Sequence, residues 1–241
     1  GVVRQAQGLC GELTWLISRS RVDLIFAVHC VARFCLKAPQ VALDVGNGIL
    51  KYLNATQDLA IIYKPQVEPF GGNAEIVQDR NLEALEVQVD ASHAPLGGRS
   101  QHAVVIFYRG APIAWDCGRQ SITALSSAES EIIGGTHGMQ LGECVLPVLS
   151  EMVGVDPELV MLTDNAAAVQ IIQGDACAWK SRHLRMRAQA MRERVLSGAW
   201  KIFHLEGRFN SSDVGTKPLG GARLRELLPL LSLEWVSGGL A

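Results

Sequence analysis

Four acidic side chains stand where carboxylates could do metal chemistry. Asp90 lies near the end of an apolar stretch, in VQVDAS, and Asp164 directly follows another, in VMLTDN. An acid at the carboxyl end of a buried strand is costly unless a cation meets it there, because an unpaired buried charge is expensive to desolvate. Two such strand ends invite a shared metal ion. Either aspartate also reads as a cap of the element that follows it.

Between them the sequence offers Glu129 and Glu131, and local chemistry separates the two. Ser126 and Glu129 have the S-x-x-E spacing of a capping box, in which the glutamate returns to the cap residue's backbone N–H. Glu131 shares a helical face with Gly134, Gly135, Gly138 and Gly142. Glycine inside a helix costs about 1 kcal/mol relative to alanine. A close approach to another backbone would be a reason for four of them and would carry Glu131 to the strand ends; the alternative is a flexible or poorly formed helix with Glu131 exposed. Asp213 follows the polar turn Asn210-Ser211-Ser212 and alone reads as a helix N-cap. Its interest comes from the other three acids.

These residues need a scaffold, and the periodicity supplies one. Strands are expected over 85–91, 102–108 and 111–117, the last two joined as a hairpin through Arg109-Gly110. A helix is expected over 127–152, a strand over 159–163, helices over 165–173 and 183–196, and a strand over 200–205, with a terminal helix or two to finish. Three antiparallel strands followed by alternating helices and strands imply an α/β fold, a mixed sheet with helices on both faces. Upstream, residues 8–63 read as mainly helical, with Leu13, Leu16, Ile17, Ile25, Val28, Ala32, Phe34 and Leu36 at spacings of three and four. Residues 65–81 hold Pro65, Pro69, Gly71, Gly72 and Asn73 with little periodic apolar signal, the composition of a linker. The expected organisation is therefore a helical segment over 1–64, a linker over 65–81 and an α/β domain over 82–241.

The bulk composition narrows the classes. With 241 residues, 48% hydrophobic and 19% charged, the chain is long enough for a real core. Its 24 acidic and 22 basic residues nearly balance, so any surface for a polyanion must be local. The densest cationic stretch runs from Lys180 to Lys201, with Arg182, Arg185, Arg187, Arg192 and Arg194 against Glu193 alone. Such a run suits backbone phosphates, or is simply a solvated helix face. Six scattered cysteines show no CxxC pair or zinc spacing and read as reduced core thiols of an intracellular protein. No apolar run approaches the ~20 residues of a membrane-spanning helix, and no signal peptide is visible. Beginning at Gly1, the sequence reads as a piece of a longer polypeptide.

The motifs resemble the ribonuclease H domain of copia-type LTR retrotransposon polyproteins. The matching blocks are VDAS around Asp90, ALSSAESEII around Glu131, TDNAAAV around Asp164, the KSRH run ending at His183, and SDVGTKPL around Asp213. Upstream, GELTWLISRSRVDLIFAV and ILKYLNATQDLAIIY resemble the connection or thumb sequence that follows the reverse transcriptase polymerase core. The resemblance implies a ribonuclease H-like fold, a five-stranded mixed sheet flanked by helices. It implies endonucleolytic hydrolysis of the RNA strand of RNA–DNA hybrids, leaving a 5′-phosphate and a 3′-hydroxyl. Asp90, Glu131, Asp164 and Asp213 would hold two Mg²⁺ ions, with Mn²⁺ as a substitute, for a two-metal mechanism. The implied partners are the hybrid and the polymerase domain of the same polyprotein, in the cytoplasm or nucleus, retrotransposon particles included. Lys180, Arg182, His183, Arg185 and Arg208 are the candidate nucleic-acid contacts.

Two departures stand out. Arg185 occupies a place where the family usually carries an Asp, and Gly207-Arg208-Phe209-Asn210 replaces a loop that in cellular and retroviral relatives carries a His. The rival readings are a non-catalytic connection-type scaffold, a decayed element copy, the polymerase itself and an integrase-like nuclease. All four acids are present, and no YxDD-type pair occurs.

Overall fold

The computed structural model describes residues 1–63, 83–95, 98–174 and 182–236. The expected linker over 65–81 lies outside the described residues. Two compact units emerge, Gly1–Tyr63 together with Lys217–Ala241, and Lys64–Thr216.

The first unit is built on three helices, α1 (Val2–Ile17), α2 (Ile25–Phe34) and α3 (Pro39–Ala55). Their apolar stripes meet through Leu13, Ile17, Val28, Val31, Ala42 and Ile49, all buried. Pro39 opens α3 at a position where its missing N–H costs nothing. The turn before α2 buries a bidentate pair, Arg21 Nε and Nη2 donating to the Asp23 carboxylate at 3.0 and 2.8 Å, with Nη2 also donating to Thr56 Oγ1 at 2.9 Å. After α3 comes a short strand, β1 (Leu59–Ile61).

The second unit contains a five-stranded sheet. Its strands are β2 (Leu85–Ser92), β3 (Gln101–Tyr108), β4 (Ala111–Arg119), β5 (Leu159–Thr163) and β6 (Trp200–His204), in the order β4-β3-β2-β5-β6. The first three are antiparallel neighbours, whereas β2, β5 and β6 run parallel. This is the five-stranded mixed sheet with flanking helices that the motifs imply. The β3–β4 hairpin turns on Arg109 and Gly110, at φ 49° and 77°, the left-handed pair that a two-residue turn requires.

Period-2 alternation along β2 sends its side chains to two faces. Val87, Val89 and Ala91 point toward α4 (Ser127–Val153), whose glycine stripe lies directly over them. Helices α5 (Ala166–Gln173) and α6 (Arg182–Leu196) complete this layer, with Val169, Ile172, Ala188 and Met191 joining the same core. Gln88 and Asp90 point to the other face, where the segment ending in the short helix α7 (Asp213–Thr216) binds them.

Three local expectations need correction. The sequence reading carried the α/β domain through to Ala241, but after α7 the chain forms α8 (Gly221–Leu230) and β7 (Leu233–Trp235), and β7 pairs antiparallel with β1. That pairing takes the segment from Lys217 onward into the first unit. Cys144 is exposed, and Cys10 and Cys30 are half-buried, so only Cys35 and Cys117 of the described thiols lie in the core. Helix α4 has its cap, Ser126 Oγ accepting from Glu129 N–H at 3.2 Å, but the Glu129 carboxylate returns one residue farther, to Leu125 N–H at 2.6 Å.

Candidate carboxylate metal site

Asp90, Glu131 and Asp164 each offer a carboxylate oxygen, and the three oxygens lie within 4.8 Å of one another. Asp90 comes from the end of β2, Asp164 from the residue after β5, and Glu131 from the second turn of α4. β2 and β5 are adjacent and parallel, with Val89 level with Thr163, so their carboxyl ends finish side by side. Asp90 and Glu131 are buried, and Asp164 is half-buried.

The glycine stripe explains how Glu131 reaches the strands. A Cβ at Gly134 would rest 3.4 Å from each of Ala91 Cβ, His102 Cβ and Val89 Cγ1, and at Gly138 it would meet Val89 Cγ2 at 2.6 Å. At Gly142 it would strike Trp200 Cη2 at 2.7 Å. With hydrogens there, α4 lies against the sheet, and Glu131 Oε1 accepts from Ala91 N–H at 3.3 Å. Glu129 is turned to its cap, as described above, whereas Glu131 is turned to the end of β2.

Asp213 is buried at the start of α7, on the side of β2 where Asp90 points. It is not one of the three whose oxygens converge within that distance. Its segment is nevertheless bolted to β2. Asn210 Nδ2 donates to Val89 O at 3.1 Å, Ser212 Oγ to Gln88 O at 2.8 Å, and Ser211 Oγ and N–H to Gln88 Oε1 at 2.6 and 3.0 Å. Thr216 Oγ1 donates to Asp90 Oδ2. Gln88, Asn210, Ser211, Ser212 and Thr216 thus position the acids, and sequence reasoning assigned them no such task. Gly207 is a further supporting residue, since a Cβ there would stand 3.1 Å from Asp164 Oδ2. His204 Nε2 lies 3.1 Å from the Asp164 carbonyl.

The cationic candidates divide. Lys180 and the side chains of Arg182 and His183 lie outside the described residues. Arg185 is exposed on α6. Arg208 is exposed, ion-paired to Glu206 at 2.7 Å, with its guanidinium 4.5 Å from the centre of the Phe209 ring. Two members of the expected positive run are already neutralised: Arg194 binds Glu143 at 2.6 Å and Lys201 binds Glu158 at 2.6 Å. Arg192 donates to the Gly174 carbonyl. The local charge excess is smaller than the composition suggested, because α6 uses part of it to hold its neighbours.

The sheet order and its flanking helices define a ribonuclease H-like fold, with an acidic cluster at its strand ends. The motif resemblance to retrotransposon polyproteins holds along the chain. The Ty1-NL2 and Ty1-DR6 transposon Gag-Pol polyproteins of Saccharomyces cerevisiae are each 23% identical over 236 residues, covering 97% of this chain and 13% of theirs. The chain therefore spans a small part of the curated relatives it matches. No family model matches it. Among solved structures, RNase H1 from Halobacterium salinarum is 16% identical with a TM-score of 0.40, covering 55% of this chain and 94% of that one. A foamy viral protease-reverse transcriptase in complex with RNA/DNA hybrid is 12% identical with a TM-score of 0.40, covering 72% of this chain and 25% of that one.

Proposed function

We propose that this chain hydrolyses the RNA strand of RNA–DNA hybrids endonucleolytically during reverse transcription of a retrotransposon, using divalent metal held by Asp90, Glu131, Asp164 and Asp213. The observation that carries the reading is the convergence of three carboxylates from two strand ends and a helix. The similarity to Gag-Pol polyproteins over nearly the whole chain supports it.

The donor set fits the cation. Carboxylate oxygens are the ligands hard Mg²⁺ prefers, and Mn²⁺ accepts the same set. Two bound ions would supply a nucleophilic water at neutral pH and charge stabilisation at the scissile phosphate. The protein's own residues prepare that chemistry. Ala91 N–H holds Glu131 Oε1, and Thr216 Oγ1 fixes the rotation of the Asp90 carboxylate. The Gln88 bonds to Ser211 keep the Asp213 segment against the sheet, so the acids are ordered before substrate arrives. Arg185 and Arg208, with Lys180, Arg182 and His183, are the proposed contacts to the nucleic-acid backbone, which fix position without reading bases and suit recognition of hybrid shape.

On this reading the helical first unit is the connection or thumb-like segment, and the polymerase domain of the same polyprotein is its partner, inside the cell and in retrotransposon particles. The test is direct. The purified chain is incubated with a labelled RNA–DNA hybrid, single-stranded RNA or duplex DNA, each with Mg²⁺ or excess chelator. Cleavage of the hybrid's RNA strand alone, abolished by chelator and by Asp90→Asn, is expected. An intact hybrid with both Mg²⁺ and Mn²⁺ and a folded chain would overturn the reading in favour of a scaffold.

A further inference from the structure

A second group of ligating side chains lies on the α4 side of the sheet, apart from the four acids. In the β3–β4 register His102 faces Gly118 and Val104 faces Asp116, so Asp116 is the diagonal neighbour of His102 on one face. His137 descends onto that face from α4, one turn beyond Gly134, whose missing side chain leaves room over His102 Cβ. Gly118 opposite leaves room for the His102 ring itself, since a Cβ there would touch His102 Cε1 at 3.4 Å. Two glycines and two strands thus bring three side chains together, each offering one ligand atom, all within 4.8 Å of one another.

We propose that His102, Asp116 and His137 form a second divalent-cation site, selective for a borderline transition metal such as Zn²⁺ over Mg²⁺. The donor chemistry carries the selectivity. Two imidazoles and one carboxylate are the ligands of zinc, cobalt and nickel, whereas Mg²⁺ takes oxygen and dehydrates reluctantly.

The geometry is close to what such an ion needs. Ligands at about 2.0–2.1 Å from a tetrahedral ion stand roughly 3.3–3.5 Å from each other. His102 Nε2 lies 3.6 Å from Asp116 Oδ2, already at that separation and too far for a hydrogen bond. His137 Nε2 lies 2.8 Å from the same oxygen, a hydrogen bond that must open by about 0.5 Å to admit the ion. The two rings are tilted at 57° with centroids 4.5 Å apart, so neither stacks flat on the other.

His102 supplies a second, independent reason. It is buried at 9% exposure, and neither of its ring nitrogens makes a hydrogen bond. A buried ring nitrogen left in that state loses its hydration without compensation, and a cation at Nε2 would supply the missing partner of that atom. Asp116 and His137 are half-exposed, so the remaining coordination position faces solvent and takes water or a small anion.

The experiment titrates the full chain with Co²⁺ in millimolar Mg²⁺, which fills oxygen sites and leaves imidazole sites to cobalt. Visible d–d absorption and equilibrium dialysis report the ligand class and the stoichiometry. One Co²⁺ per chain is expected, displaced by Zn²⁺ and unaffected by Asp90→Asn. His137→Gln and Asp116→Asn should each weaken it by about tenfold or more, and abolish the rise in thermal midpoint that Zn²⁺ gives the parent chain. Both side chains are half-exposed and Asp116 lies on an edge strand, so the two variants are checked for folding by circular dichroism. No stoichiometric Co²⁺ uptake in Mg²⁺ would overturn the proposal, as would uptake unchanged in both variants. Neither result bears on hybrid cleavage, so the two readings fail separately.

Discussion

Gly138→Ala tests the link between helix packing and the acidic cluster. The added methyl would stand 2.6 Å from Val89 Cγ2, 3.3 Å from Val87 Cγ1 and 3.7 Å from Val104 Cγ2. The first contact is roughly 1 Å inside the ~3.5–4.0 Å optimum between carbons. Both close partners are valines on the central strand, with stiff χ1 and a buried backbone, so they cannot turn aside. The helix must move instead. Alanine gains about 1 kcal/mol of helix propensity, while overpacking of this kind costs about 1–3 kcal/mol. The net is a loss of up to about 2 kcal/mol, or roughly 2–4 °C in Tm for each kcal/mol. Activity should suffer more than stability, because a shift of about 1 Å in Glu131 against Asp90 and Asp164 is worth on the order of 10²-fold in rate. The assay is single-turnover hybrid cleavage beside thermal unfolding. Gly8→Ala in α1, where a Cβ meets nothing within 4 Å, is the control and should stabilise the chain without touching the rate. If Gly138→Ala behaves like Gly8→Ala in both measurements, the tight approach of α4 is refuted.

Four further outcomes follow. Glu131→Gln should abolish hybrid cleavage, whereas Glu129→Gln should cost only part of a helix cap, about 0.5–2 kcal/mol at most, with a rate within a few-fold; equal loss of activity would overturn their division of roles. Arg185→Gln should lower the salt slope of hybrid binding by about one, while Arg194→Gln, which removes the cationic partner of Glu143, should leave that slope alone and reduce stability. The Arg194 and Trp200 bonds hold the Glu143 carboxyl below its ordinary 4.5, so this stabilisation is complete above that value and is lost as pH falls through the depressed one. The stability gap between parent and Arg194→Gln should therefore be present at neutral pH, on the order of 0.2–1 kcal/mol for a pair this exposed, and close in acid by denaturant titration. Gly207→Ala, whose methyl would press on Asp164 Oδ2 at 3.1 Å, should raise the Mg²⁺ concentration needed for half-maximal cleavage, and an unchanged requirement would mean the loop simply yields.

The sheet was readable because its strands are strongly apolar and its turn is chemically marked. Leu159–Thr163 came out with its observed bounds, and Arg109-Gly110 announced the hairpin. Glu131 was separable from Glu129 because one has a cap within reach and the other shares its face with glycines. What stayed hidden is whatever depends on register or long-range pairing. β7 has three residues, of which Glu234 and Trp235 are exposed, so no period-2 signal marks it. Gln88 looks like an ordinary polar residue of a strand until Ser211 is set beside it. His102, Asp116 and His137 have no spacing in common, since only the offset of β3 against β4 and the tilt of α4 make them neighbours. Asp90 and Asp164 were legible as acids at strand ends, and the side chains that hold them in place were not.

The pairing of β1 with β7 also bears on the order in which the chain folds. Ile61 and Leu233 are partners, and the whole second unit lies between them in sequence. Closing an unstructured loop of that length, on the order of 170 residues, costs about 4–5 kcal/mol of chain entropy, far more than three residue pairs of a two-stranded ribbon return. Folding of the second unit first shortens the free chain between the two strands, so the ribbon is a late event, formed after the sheet that lies between its strands in sequence. In pulse-labelled hydrogen exchange, amides of β2 and β5 should gain protection before those of β1, although β1 leaves the ribosome first.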